Sequence, residues 1–408
     1  MKNKRKIIND PVCGFINITD DIIFDLIEHR YFQRLRRIKQ LGLTYLVYPS
    51  ALHTRFSHAI GAMHLMTQAI DVLRSKGHNI SDEESLAAKI AILLHDIGHG
   101  PFSHALENSI IKGIQHEEIS EILMNKLNDE FNGKLELAIK IFKNKYHKKY
   151  LHQLVSSQLD MDRLDYLRRD SFFTGVSEGV TGTERIIKML NVKNNELAVD
   201  YKGIYSIENF IIARRLMYWQ VYLHKTVISA EYMVLKILKR AKELAKNGDN
   251  LFATPVFSNF LYNEINKQSF KKNDTIIEKY TELDDYDIFS SIKVWTKHDD
   301  KILSMLCKNL INRVLYKIEL QNNVFEKKYF EQIKNKVKKI IKVDDSFIDY
   351  FVFSDFIESN IYFPQKDKIN ILLKNDNILD ITEASDQLNV DVLSKIIKKY
   401  FICYINFH

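Results

Sequence analysis

Residues 85–104 read SLAAKIAILLHDIGHGPFSH. The first ten are apolar almost all round, which predicts a helix buried on every side. SDEE at 81–84 carries the Ser/Glu spacing of a capping box and starts that helix. The helix then runs into His95-Asp96, two ionisable groups held against a core, and Gly98, Gly100 and Pro101 break it. Burying an unpaired charge is costly, and metal coordination is one way to offset the cost. A lone His-Asp pair is more often a surface helix end. Here His99 follows His95 by four residues, on the same face while the turn stays helical. The glycines and the proline bring His104 back toward the same place, so LLHDIGHGPFSH packs four potential ligands or proton carriers together.

Outward from this stretch, long elements are expected, because the 408 residues include only 13 Gly and 5 Pro. Apolar periodicity predicts helices over 19–41, 56–76, 116–131, 134–146, 151–173 and 182–191, and one long helix from about 206 to 245. ELAVDYKG at 196–203 alternates and reads as a strand and turn. After about residue 250 the texture becomes Lys/Asn-rich, with β-type segments FIESNIYFP, INILL, ILDIT and FICYINF. The expected fold is mostly α, with a helical core over residues 1–245 and a smaller α+β C-terminal region over 246–408 that serves as interface or lid.

The net charge of +7 comes from lysines spread over the chain. It describes a solvated surface first, and suits polyanionic partners such as nucleotides second. Cys13, Cys307 and Cys403 are far apart, which argues against a disulfide framework and a cysteine metal site. The N-terminus MKNKRKIINDP lacks an apolar core segment, and no apolar run approaches the roughly 18 residues of a membrane span. A cytoplasmic protein with no membrane partner is the expectation.

Further candidates flank the central stretch. His58 follows Arg55 at a helix start, whereas His53 and His64 read as ordinary residues off its face. His116 opens a later helix. In DMDRLDYLRRD, Asp162, Tyr166 and Asp170 recur at four-residue steps, and Arg163 precedes Tyr166 by three. By itself that is a charged helix face with i,i+4 pairs. Beside the histidines it offers carboxylates, a guanidinium and a phenol. Imidazole with carboxylate suits Mg, Mn, Fe, Zn or Ni without naming one. Glu107 and Glu117 could orient the imidazoles.

Together, FQRLRRIKQLG, HTRFSHAIG, LLHDIGHGPFSH, HEEIS, LDMDRLDYLRRDSFFTG and RRLMYWQVYLHK resemble the HD-domain superfamily, and within it the dNTP triphosphohydrolase branch that includes the human SAM-and-HD-domain enzyme. The likeness runs from about residue 8 to Lys239. It implies a divalent metal on His58, His95, Asp96 and Asp162, and catalytic histidines at His99, His104 and His116. It implies phosphate contacts from Arg55 and from Arg163, where the human enzyme has lysine. Sugar contacts fall on Gln40, Leu41, Tyr166 and Asp170, and pocket closure on Arg214 and Tyr222. Relatives bind a guanine nucleotide between subunits; the matching positions are Glu28, where the human enzyme has Asp, with Gln33 and Arg36. The implied activity is metal-dependent hydrolysis of a dNTP to deoxynucleoside and tripolyphosphate. A dGTP or GTP effector and a homo-oligomer, dimer or tetramer, go with it.

Two rivals stand beside that reading. One keeps the metal enzyme and changes the substrate to another nucleotide or phosphate ester. The other is a non-catalytic binder of nucleotides or, more weakly, nucleic acid, using the basic surface.

Overall fold

The computed structural model describes residues 5–102, 109, 111–359, 362, 367–386 and 397–406. The chain opens on a hairpin of β1 (Lys6–Asp10) and β2 (Gly14–Ile18). Its turn is set by Asp10, whose Oδ1 accepts from the backbone N–H groups of Val12 and Cys13 at 3.0 and 2.8 Å. Short helices α1 (Asp21–Glu28) and α2 (Arg30–Gln33) come next, and then a 3₁₀ turn at Arg34–Arg37.

The centre of the molecule is the pair α3 (Arg55–Ser75) and α4 (Asp82–Leu94). α4 starts at the expected capping box, with Ser81 and Glu84 each bonded to the other's backbone N–H. Ile90 to Leu94 are all buried, as the apolar sequence requires. α5 (His116–Glu130), α6 (Glu136–Phe142), α7 (Lys149–Val155) and α8 (Met161–Thr174) surround the pair. α9 (Thr183–Met189), the hairpin of β3 (Leu190–Lys193) and β4 (Glu196–Asp200), α10 (Ile204–Met217) and α11 (Lys225–Lys246) complete the first 246 residues.

The single helices expected over 151–173 and 206–245 are each broken. The first stops so that Asp160 can cap α8: its carboxylate accepts from Arg163 N and Ser157 N, both at 2.7 Å. The second passes through a π turn at Tyr218–Tyr222 and restarts at α11, where the His224 side chain accepts from Thr226 N. A π turn adds a residue to the helix and re-aims the segment after it, which is why such turns concentrate at sites.

Beyond α11 come α12 (Pro255–Tyr262), α13 (Lys267–Lys272), α14 (Asp274–Glu282), α15 (Asp285–Trp295) and α16 (Lys301–Ile311). The chain continues through β5 (Lys317–Gln321), α17 (Lys327–Ile341), β6 (Val352–Ser359), β7 (Asn370–Leu372), β8 (Ile378–Asp380), α18 (Ile381–Ala384) and β9 (Ile397–Tyr404). β9 lies between β5 and β6, antiparallel to both. β7 pairs in parallel with β4, so the late strands extend a sheet begun by the early hairpin. The fold is mostly α with small sheets, and one hydrophobic core runs from Ile16 to Ile405.

A buried arginine links these parts. Arg34 has no exposed surface. It donates to the carbonyls of Ile97 and His99, each at 2.8 Å, and to those of Tyr280 and Leu283 at 3.0 and 3.1 Å. The Tyr280 hydroxyl donates to Gly98 O at 2.9 Å. Asp285 accepts from the backbone N–H groups of Lys39 and Phe102 at 3.0 and 2.9 Å. The turn after α4 is therefore braced from α14 and α15, nearly two hundred residues later in the chain.

Candidate active site and metal centre

His58 sits in the first turn of α3, His95 at the end of α4 and Asp162 in the first turn of α8. Packing of those three helices brings the side chains together. His58 Nε2 is 3.1 Å from Asp162 Oδ1, and His95 Nε2 is 3.4 Å from the same oxygen. Asp96 Oδ1 lies 3.3 Å from His95 Nε2 and 3.3 Å from His99 Nε2. Two adjoining groups result: His58, His95 and Asp162, and Asp96, His99 and His116, each with ligand atoms within 4.8 Å of one another.

Both remaining nitrogens are fixed from behind. His58 Nδ1 bonds Asp165 Oδ2 at 2.8 Å, and His95 Nδ1 bonds Ile92 O at 2.6 Å. Asp165 is itself gripped by Arg169, at 2.8 and 2.9 Å, and Arg169 reaches Asp10 at 2.7 Å. The chain Asp10–Arg169–Asp165–His58 is the outer support expected behind a ligating imidazole. Gly61 allows it, because a Cβ there would stand 2.1 Å from both Asp165 Oδ1 and Arg169 Nη2.

The electrostatics call for a cation. Burial works against charging His58, yet the carboxylates of Asp162 and Asp165 push it up to about 10. His95 is raised, against the same burial, by Asp96 and Asp162. Despite burial, His95 and Arg55 hold the Asp96 carboxyl well below the usual range, and His95 and His58 lower Asp162. The Nε2 atoms of His58 and His95 are buried and make no hydrogen bond. Two orphaned imidazole nitrogens facing carboxylates fit a divalent metal, with His58, His95, Asp162 and Asp96 as the groups that would hold it.

His99 differs. Burial and the nearby Arg55 hold its pKa well below the ordinary value, which favours the neutral ring. Its ring stacks on His116 at 3.7 Å between centroids. Gly98 lets the two elements meet: its N–H donates to Ser120 Oγ at 2.9 Å, and Ser120 donates to His95 O at 2.7 Å. His116 Nε2 is 3.4 Å from Glu117 Oε1. His104 and Glu107 lie outside the described residues.

A cavity of about 410 Å³ opens from this cluster, lined by Gln40, Leu41, Arg55, Tyr166, Asp170 and Tyr222 among others. Arg55 pairs with Asp96 at its floor. Tyr222 Oη donates to Asp170 Oδ2 at 2.8 Å, and His53 Nε2 bonds Asp170 Oδ1 at 2.6 Å. Gln40 Oε1 is buried with no partner. Two predicted contacts stand back from the cavity wall. Arg163 pairs with Asp160, the cap of its own helix, and Arg214 donates to Gln158 Oε1 at 3.0 Å. His53, read from the sequence as ordinary, is buried, stacks on Phe173 at 4.5 Å and bonds Asp170. Tyr218 also lines the cavity and was missed, because the π turn that aims it left no clear mark in the periodicity.

The HD domain family matches residues 55–170, and the HD associated region matches residues 182–252. The uncharacterized protein YwfO of Bacillus subtilis is 33% identical over 400 residues, which are 94% of this chain and 88% of YwfO. The chain belongs to the HD-domain phosphohydrolases. A Bacteroides thetaiotaomicron phosphohydrolase of known crystal structure superposes on this HD protein with a TM-score of 0.95 and 53% identity, covering 98% of this chain and 100% of that one. The Dictyostelium discoideum SAMHD1 homolog, a deoxynucleoside triphosphate triphosphohydrolase, is 27% identical over 387 residues, 90% of this chain and 70% of its own. Among the described residues, no helix is long and apolar enough to cross a membrane.

Proposed function

We propose that this HD phosphohydrolase cleaves deoxynucleoside triphosphates to deoxynucleoside and tripolyphosphate. One observation carries the reading: the metal-type cluster and a polar wall of sugar-binding kind share one cavity, strung along α8 from Asp162 through Tyr166 to Asp170. The named activity of the Dictyostelium relative supports it.

In this reading His58, His95, Asp96 and Asp162 would hold a divalent metal, which would supply Lewis-acid charge to the phosphates. Arg55, at the cavity floor, neutralises further phosphate charge. Water adds to the α-phosphorus and the P–O5′ bond breaks. One proton of the water passes to the imidazole pair and a proton returns to O5′ of the leaving nucleoside. His99, kept neutral, can accept that proton, and His116 stacked on it lines the same cavity. Asp170, fixed by His53 and Tyr222, has lone pairs left for a 3′-hydroxyl, and Gln40 Oε1 offers a second acceptor. Leu41 and Tyr166 line the same cavity, and their bulk against the sugar would exclude a 2′-hydroxyl, which favours 2′-deoxy substrates.

The reading also carries a guanine-nucleotide effector and a homo-oligomer. Glu28, Gln33 and Arg36 cluster at the surface, with Arg36 donating to Gln33 Oε1 at 2.9 Å and lying over the Phe56 ring at 3.4 Å. The test is hydrolysis of four dNTPs and four NTPs with Mg, Mn, Fe, Zn or Ni, with and without added dGTP or GTP. Tripolyphosphate from dNTPs, lost in Asp96→Ala, is expected. Turnover of another phosphate ester alone would replace the substrate class while keeping the metal site.

A further inference from the structure

Glu231 is the acidic residue on the α11 side of the cavity. Leu223, Val227 and Glu231 recur at four-residue steps and line it together. Gln40, Leu41, Gly42 and Thr44 line the same cavity, and α11 packs against the 3₁₀ turn Thr44–Leu46. The Glu231 carboxyl pairs with no cation and accepts no hydrogen bond among the described residues. Burial alone pushes it up to about 7. A half-buried carboxyl with no partner, facing a cavity between apolar side chains, is costly unless something that enters the cavity pairs with it.

The cavity has a direction. Asp162 to Asp170 spans two turns of α8, about 12 Å at 1.5 Å per residue. Asp170 is bonded to Tyr222, and from Tyr222 the wall continues through Leu223 and Val227 to Glu231. A nucleotide with its phosphates at the histidine cluster and its sugar at Asp170 therefore extends its base toward α11. A carboxylate offers two adjacent acceptors and no donor. Guanine is the base that presents two adjacent donors, the ring N1–H and the exocyclic N2–H, on one edge. We infer that Glu231 reads the base of the substrate and selects guanine through N1–H and N2–H. The inference rests on the nucleotide reading of the cavity given above.

The substrate itself supplies the cleanest test. Deoxyinosine triphosphate is dGTP without the 2-amino group. With GTP held constant to occupy any surface effector site, kcat/KM for dGTP should exceed that for dITP by about 10–100-fold, the usual worth of a charge-assisted hydrogen bond. Glu231→Gln, nearly the same shape, replaces one acceptor by a donor and should collapse that ratio toward one. Binding of deoxyguanosine and deoxyinosine to the metal-loaded protein, which involves no turnover, should show the same preference. Equal kcat/KM for dGTP and dITP in the unaltered protein would overturn the inference. So would a preference that survives in Glu231→Gln. Failure to hydrolyse any triphosphate, with deoxyguanosine still preferred and the preference lost in Glu231→Gln, would overturn the proposed reaction and leave the role of Glu231 standing.

Discussion

Replacing Asp165 by Asn tests whether the support behind His58 sets metal affinity. Asp165 is fully buried and accepts from His58 Nδ1 at 2.8 Å and from Arg169 at 2.8 and 2.9 Å. A carboxylate at that point makes Nδ1 the donor and leaves the Nε2 lone pair turned toward Asp162 and His95. Asn has one acceptor oxygen and one NH₂. With its oxygen in the place of Oδ2, Asn keeps His58 Nδ1 and Arg169 Nε and turns its NH₂ on Arg169 Nη2; the reverse arrangement opposes both His58 Nδ1 and Arg169 Nε. At least one charge-assisted bond worth about 1.5–3 kcal/mol is lost. Outer carboxylates of this kind govern about 10–100-fold in metal affinity, or about 1.4–2.8 kcal/mol, so the two estimates agree. Breaking a buried pair outright costs about 3–5 kcal/mol; here Arg169 keeps Asp10, so the loss of fold stability should fall below that range. The assay is metal Kd by chelator competition, with thermal melts of both metal-free proteins alongside. Asp165→Asn with unaltered metal affinity would refute the reasoning.

Gly98→Ala would place a Cβ 2.3 Å from both His116 O and Ser120 N, so α5 must move. A displacement near 1 Å is expected to cost about 100-fold in kcat, read by steady-state kinetics, while metal binding at His58 and Asp162 changes less. Asp285→Asn keeps one acceptor for the two backbone N–H groups of Lys39 and Phe102; hydrogen exchange at Lys39–Gly42 should accelerate, with KM for dNTP rising more than kcat falls. Glu231→Gln should change stability with pH. Burial raises this carboxyl from 4.5 to about 7, so the folded chain holds the proton more tightly than the unfolded chain and loses stability as pH rises through that window. The substitution should therefore stabilise by up to about 3 kcal/mol at pH 8 and give no such gain below pH 4.5, measured as Tm at both. Chelation should lower Tm, since a ligand held only by the folded state stabilises it, and His95→Ala should remove that dependence.

Much of the site could be read along the chain because its parts are local. The buried helix, its Ser81 cap and the His95-Asp96 end lie within sixteen residues, and helical spacing put Asp162, Tyr166 and Asp170 on one face. The features that escaped depend on long-range packing. His53 looks like any loop histidine until α8 brings Asp170 against it. The break at Tyr218–His224 lies within an unbroken apolar pattern, and a π turn shifts that pattern by a single residue. The N-terminal hairpin was overlooked because its strands are five residues each and partly exposed. Arg34 reads as one more base in RLRRIKQ, and only burial separates it from Arg36 and Arg37.

The same Arg34 has a consequence for how the protein is made. Two of its four carbonyl acceptors belong to the turn that carries His99, and two to Tyr280 and Leu283. A nascent chain that has emerged only as far as α11 holds every proposed metal ligand, yet its Arg34 guanidinium has half its partners. At about 5–20 residues per second, the roughly 180 residues between Phe102 and Asp285 take about 10–40 s to synthesise. For that interval the turn that carries His99 stays unset. A metal ion meeting the chain then finds ligands that are present but not yet arranged, so the site can mature only after α15 has left the ribosome.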